Sequence, residues 1–67
     1  MKNVIISTKE IKSETIEHAM EEITTDETLF EKAKIISEST NWGLADTIEA
    51  IATHIIINDT DYVHDLN

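Results

Sequence analysis

The stretch LADTIEAIATHII, from Leu44 to Ile56, decides the predicted fold class of this chain. Its large apolar residues recur three or four positions apart, with polar residues between them. This period places the apolar side chains on one face of an α-helix. The apolar stripe consists of Leu44, Ile48, Ile51 and Ile55, widened by Ala45, Ala52 and Ile56. We therefore expect a core helix here, ended by Asn58 and Asp59.

Two more helices are predicted before this one. The first runs from Ser13, with its apolar face formed by Ile16, Ala19, Met20 and Ile23. The second follows the polar cluster Thr24, Thr25 and Asp26, which supplies N-cap side chains. Its apolar face is formed by Leu29, Phe30, Ala33 and Ile36, with Ile35 beside them. Thr24 with Glu27 has the spacing of a capping box. Ser7 with Glu10 has the same spacing, so an earlier start of the first helix stays open.

The connection between the second and third helices contains the only glycine of the chain, Gly43. Glycine adopts positive φ values at low cost, so we expect Gly43 to take such a conformation in a tight turn. After the third helix, residues 59–67 are expected to form a last helical turn that brings together Tyr62, Val63 and Leu66.

The N-terminal residues allow more than one interpretation. Residues 1–12 are read as a flexible arm, a helix extension or a short strand. Because Val4–Ile6 and Ile55–Ile57 are both rich in β-branched residues, a two-stranded pairing of these segments is an alternative. The favoured fold class is all-α: residues 1–67 form one small acidic domain of three helices plus a short C-terminal helical turn.

Charge is the strongest guide to function. The chain has 14 acidic and five basic residues, a formal net charge of −9, and no Lys or Arg after Lys34. Such a surface repels phosphate backbones and anionic lipid, so direct binding to nucleic acid or membrane is not expected. The spacing of the last two helices resembles a helix-turn-helix, but a recognition helix bearing Asp46 and Glu49 without a basic residue cannot grip DNA. Protein partners are expected instead.

Catalytic and metal-binding templates do not fit the sequence. There is no Cys, no Gly-rich phosphate loop and no serine with a His and Asp placed to activate it. The segment 58–65 opens like a calcium loop but has His64 where that loop needs Gly. His54 is read as a surface histidine rather than a metal ligand. We predict no enzyme activity, no cofactor and no metal, and a cytoplasmic location.

Six residues are predicted to contact a partner. They are Phe30, Trp42, Leu44, Ile48, Glu49 and Tyr62. Trp42 is central because it is the only Trp and lies at a turn. Its favoured role is to roof the core between the second and third helices. The alternative is a partly exposed anchor, since interface hot spots are enriched in Trp.

Residues 30–66 resemble the small late-transcription coactivators of T-even-type bacteriophages. The shared pattern is a striped helix from Phe30, the turn Trp42-Gly43-Leu44, the pair Glu49-Ala50, and the run Asp61-Tyr62-Val63 closing at Leu66. The resemblance implies an acidic helical adaptor that regulates transcription by gripping host RNA polymerase without binding DNA itself. Those coactivators also carry a C-terminal apolar tail that engages the sliding clamp. The residues up to Asn67 contain no such tail.

Three functional hypotheses follow. The first is a helical adaptor that binds a larger protein such as RNA polymerase through an apolar surface around Trp42. The second is a nucleic-acid mimic, of the phage anti-defence type, whose carboxylates inhibit a basic DNA-binding protein or nuclease. The third is a self-associating structural homodimer that pairs exposed isoleucines.

Overall fold

A computed structural model of the chain describes residues 2–66. Three helices lie between two short strands: β1 (Lys2–Ile6), α1 (Ile16–Thr25), α2 (Glu27–Thr40), α3 (Leu44–Asn58) and β2 (Tyr62–Leu66). The two strands form an antiparallel sheet. The prediction of an all-α bundle is therefore wrong, and the fold is mixed α/β.

The sheet joins the two ends of the chain. Its register pairs Lys2 with Leu66 and Ile6 with Tyr62. Alternate residues face the helices, as a strand requires: Val4 and Ile6 are buried, while Ile5 is 43% exposed. The inward face thus adds two apolar side chains of β1 to the helical core.

The C-terminal segment differs from its prediction. Tyr62–Leu66 is a strand rather than a helical turn, so Tyr62, Val63 and Leu66 do not share one face. Tyr62 and Leu66 pack on the core, whereas Val63 is 53% exposed on the other side of the sheet. Asn67, the last residue of the predicted turn, lies outside the described residues.

The N-terminal strand exists, but its partner is not the one that the predicted alternative proposed. Val4–Ile6 pairs with β2, and Ile55–Ile57 remains helical at the end of α3. The reason is packing: Ile55 continues the stripe of α3 and is 4% exposed, so leaving the helix would remove it from the core.

Side-chain caps set the helix starts. The Thr15 hydroxyl accepts a hydrogen bond from the His18 N–H at 3.2 Å, so α1 begins later than Ser13. Asp26, not Thr24, caps α2 by accepting from the N–H groups of Thr28 and Leu29. The predicted capping box of Thr24 with Glu27 is therefore wrong.

The pair Ser7 and Glu10 closes a turn instead of a helix. The Glu10 carboxylate accepts from the Ser7 N–H at 2.9 Å, and the Glu10 N–H donates to the Ser7 carbonyl at 3.0 Å. The residues after this turn reach α1 without helical structure. A capping-box spacing therefore produced the local hydrogen bond but no helix.

The turn between α2 and α3 uses a different residue for its positive φ. Asn41, the C-cap of α2, has φ 64°, whereas Gly43 has an ordinary φ of −64° and caps α3. The prediction for Gly43 is wrong because Asn also tolerates the left-handed region at a helix end.

The core consists of apolar side chains from all three helices, β1 and the segment before α1. Its buried members are Val4, Ile6, Ile11, Ala19, Ile23, Leu29, Ala33, Ile36, Ile48, Ile51, Ala52 and Ile55. The predicted stripes of the three helices supply most of this set. Within residues 2–66, no helix is both long and apolar enough to cross a membrane.

Candidate protein-binding surface

Trp42 projects from the turn between α2 and α3. It is 49% exposed, so the favoured prediction that it roofs the core is wrong. Both backbone polar groups of Trp42, its N–H and its carbonyl, form hydrogen bonds with side chains of α2. The Ser37 hydroxyl donates to the Trp42 carbonyl at 2.7 Å, and the Trp42 N–H donates to the Thr40 hydroxyl at 3.3 Å. The turn therefore presents a large apolar ring from a fixed backbone.

The residues that follow Trp42 are exposed to different degrees. Leu44 is half-buried against the core, and Glu49 is exposed on α3. Ile48 is only 6% exposed, so its side chain belongs to the core and offers little surface to a partner. Leu44 and Glu49 therefore remain available near the start of α3, and Ile48 does not.

Phe30 and Tyr62 are half-buried on other parts of the surface. Phe30 packs on the core from the first turn of α2, with the Lys34 ammonium 5.8 Å from its ring centroid. Tyr62 lies at the start of β2, where its ring meets His54 edge-on at a centroid distance of 5.4 Å. No pocket forms among the described residues, so the predicted partner residues do not line a common groove.

His54 connects α3 to the segment before β2. One ring nitrogen, Nε2, lies 3.1 Å from the Asp61 carbonyl and 3.0 Å from the Thr60 hydroxyl. The other, Nδ1, lies 3.3 Å from the Asn58 amide nitrogen. The Asn58 amide nitrogen only donates, so Nδ1 of His54 accepts from it. Nε2 therefore carries the proton, which it donates to the backbone carbonyl of Asp61. The histidine thus holds the segment before β2 against the end of α3.

The remaining histidine contacts and carboxylates do not converge on a metal site. His64 Nε2 lies 3.1 Å from the Ser39 hydroxyl, on a different element from His54. Over residues 2–66, no three His, Asp or Glu side chains are grouped as metal ligands.

The Glu22 carboxylate has a lowered pKa. Burial raises its pKa, but hydrogen bonds outweigh that effect. The Ser13 hydroxyl donates at 2.8 Å, and the N–H groups of Lys12 and Ser13 also donate, aided by the Lys12 charge. The net result is a pKa below the usual value of 4.5. Glu22 thereby anchors the segment before α1 to that helix.

Most of the other carboxylates face solvent. Glu10 and Glu31 form ion pairs with Lys32 and Lys34, at 3.2 and 3.3 Å. Asp26, Asp61 and Asp65 accept hydrogen bonds from backbone or amide groups. Within residues 2–66, eight exposed carboxylates have neither kind of partner: Glu14, Glu17, Glu21, Glu27, Glu38, Asp46, Glu49 and Asp59. They lie mainly on the solvent faces of the three helices.

Sequence reasoning missed the outer face of the sheet. Ile5 and Val63 are opposite each other in the register, and both are substantially exposed. The alternation of Tyr62, His64 and Leu66 with Val63 and Asp65 was the available signal, because period two is the mark of a strand.

Comparison with known proteins gave no match: no family model, no curated protein and no solved structure is similar to this chain.

Proposed function

We propose that this chain is an acidic protein-binding module and that Trp42 is its main contact residue. The observation that carries this proposal is an indole that is 49% exposed above a backbone held at both its N–H and its carbonyl. A large apolar side chain on a fixed backbone loses little entropy when a partner covers it. Tryptophan is also among the residues most enriched in interface hot spots.

The surroundings of Trp42 suit an interface with an apolar centre and a charged rim. Leu44 adds half-buried apolar surface two residues later, and Glu49 lies on the exposed side of α3. Phe30 and Tyr62 are kept as secondary contacts only. The resemblance of residues 30–66 to phage late-transcription coactivators makes bacterial RNA polymerase the first partner to test, with the module acting as an adaptor rather than an enzyme.

The test is a capture experiment with a matched variant. The immobilised protein and Trp42→Ala are incubated with purified bacterial RNA polymerase and, in parallel, with bacterial lysate, then washed at low and high salt. Screening acts on charge contacts and leaves apolar burial intact, so the expected partner stays bound at high salt. Trp42→Ala should lose it while melting within a few degrees of the parent chain, since Trp42 is not in the core.

Glu38→Gln serves as the control variant, because it removes an exposed, unpaired carboxylate and leaves the indole in place. It should retain the partner. A Trp42→Ala protein that binds as strongly as the parent chain would refute the proposal.

A second function is favoured by a different observation. Eight exposed carboxylates without a partner make a strongly negative surface, as a nucleic-acid mimic requires to occupy a basic cleft. Its partner would be a basic DNA-binding protein or nuclease, released by salt and indifferent to Trp42→Ala. The same capture experiment therefore separates the two functions. Self-association, the third hypothesis, is disfavoured by repulsion between two copies of charge −9.

A further inference from the structure

The open edge of the sheet can be located from one hydrogen bond. The Lys32 ammonium donates to the Ile5 carbonyl at 2.8 Å, so this carbonyl points away from β2. In an antiparallel pair, a residue that turns its backbone groups outward lies opposite another that does the same. Val63 is opposite Ile5, so its N–H and C=O also point away from the ladder.

The same alternation applies two residues further along β2. Asp65 is opposite Asn3, and its backbone groups point outward like those of Val63. The side chains of this pair meet: with the Asn3 amide oriented so that its nitrogen faces Asp65, it donates to that carboxylate at 2.6 Å. Close side chains are typical of such a non-hydrogen-bonded pair.

The two edges of the sheet differ in how they are covered. On β1, the Lys32 ammonium of α2 donates a hydrogen bond to the Ile5 carbonyl, and α2 packs along the strand. On β2, no further strand pairs with the outward backbone groups of Val63 and Asp65 within residues 2–66. Unpaired strand edges are the surfaces to which extended peptides add a further strand.

Charge and apolar contacts define what would fit this edge. Asp59, Asp61 and Asp65 lie along or just before β2, and no Lys or Arg occurs after Lys34. A second copy of the chain would bring the same acidic groups opposite them, at a cost in repulsion. The exposed pair Ile5 and Val63 offers apolar surface on the outer face of the sheet.

We propose that the outer edge of β2 binds an extended basic segment of a partner protein, which adds as a third strand. Asp61, Val63 and Asp65 share the outer face of the sheet, so the side chains of the added strand on that face are basic beside Asp61 and Asp65 and apolar beside Val63. This site is separate from Trp42 and does not depend on the function proposed for that residue.

The test uses a short peptide, Lys-Thr-Val-Thr-Lys, whose lysines and valine share one face of a strand, added to the 15N-labelled protein and followed by NMR. The expected result is saturable shifts of the Val63 and Asp65 amide signals, with little change in α1. A peptide in which glutamate replaces lysine should bind at least about tenfold more weakly, since it faces like charges.

Val63→Pro is the decisive variant. Proline removes the outward N–H of Val63 but no ladder hydrogen bond, so an edge strand tolerates it. It should weaken binding at least about tenfold, which corresponds to about 1.4 kcal/mol, while Val63→Thr binds within about twofold of the parent chain. If Val63→Pro does not fold, the same peptide methylated on alternate backbone nitrogens makes the same test from the partner's side.

Two results would overturn the proposal. The first is equal binding by peptides or variants that lack the required backbone N–H. The second is a concentration-dependent dimer in sedimentation whose formation shields the Val63 and Asp65 amides, because a second copy would then occupy the edge.

Discussion

Single side chains determine how the helices begin and end, and the sequence alone did not single out two of them. Asn41 takes the left-handed conformation that we expected at Gly43, and Asp26 caps α2 in place of Thr24. In both cases several neighbouring residues have suitable chemistry. A spacing rule narrows the choice to a cluster, and packing of the helices selects the residue.

Glu22 gives the clearest prediction for a single residue. Its carboxylate accepts from the Ser13 hydroxyl and from the N–H groups of Lys12 and Ser13. Glu22→Gln keeps the shape but loses the charge and one acceptor, so we expect a loss of about 1 to 2 kcal/mol in the free energy of unfolding at neutral pH. Glu21→Gln, at an exposed neighbour without such bonds, is the control and should change stability by less than about 0.5 kcal/mol.

The pH dependence of this loss has a defined sign. The pKa of Glu22 is lowered in the folded chain, so its stabilisation is fully present above the unfolded value of 4.5 and disappears as the pH falls through the folded value. Urea unfolding of the parent chain and of Glu22→Gln should give a difference in the free energy of unfolding that is largest at neutral pH and shrinks below pH 4.5. A difference that stays constant into acid would show that the charge of Glu22 is not what anchors Lys12 and Ser13.

At the scale of elements, the helices were predictable, whereas only β1 among the strands was foreseen, as one alternative for residues 1–12. The stripes of α2 and α3 extend over several turns, so their period is unambiguous, and Ile51 and Ile36 are fully buried as expected. Each strand has only five residues, so its period-two alternation is a weak signal. Their pairing also joins opposite ends of the chain, and a local pattern carries no information about so distant a contact.

The candidate site was also only partly predictable, because it depends on contacts between elements as well as on local patterns. An exposed Trp42 was the less favoured of the two interpretations of the sequence, because its exposure depends on how α2 and α3 cross. Ile48 was proposed as a contact because its stripe is apolar, yet that stripe is what buries it. The sheet edge depends on the β1–β2 register and was therefore invisible from either segment alone.

The alternation of β1 can be tested with two neighbouring residues. Ile6 is fully buried, and Ile5 is 43% exposed. Ile6→Ser should lower the free energy of unfolding by about 3 to 4 kcal/mol, because it leaves a cavity and places a hydroxyl in the core. Ile5→Ser, the matched control, should cost less than about 1 kcal/mol. Urea unfolding checks both values, and equal costs would contradict the strand assignment of β1.

For the whole molecule, the dominant feature is a net charge of −9 on 67 residues. Self-repulsion of this kind destabilises a compact state. Raising NaCl from about 0.01 M to about 0.1 M shortens the Debye length from about 30 Å to about 10 Å, so we expect the melting temperature to rise. Thermal unfolding followed by circular dichroism measures it. A melting temperature that falls over this range would mean that attractive ion pairs, such as Lys32 with Glu10, outweigh the repulsion.

The central claim is that the indole of Trp42, the only Trp, is exposed in the folded chain. Fluorescence quenching by acrylamide tests this directly, because every photon of tryptophan emission comes from Trp42. The native protein should be quenched nearly as efficiently as the same protein in urea, with an emission maximum close to that of tryptophan in water. A blue-shifted native emission that resists quenching, and becomes accessible only on unfolding, would place the indole in the core and contradict the account.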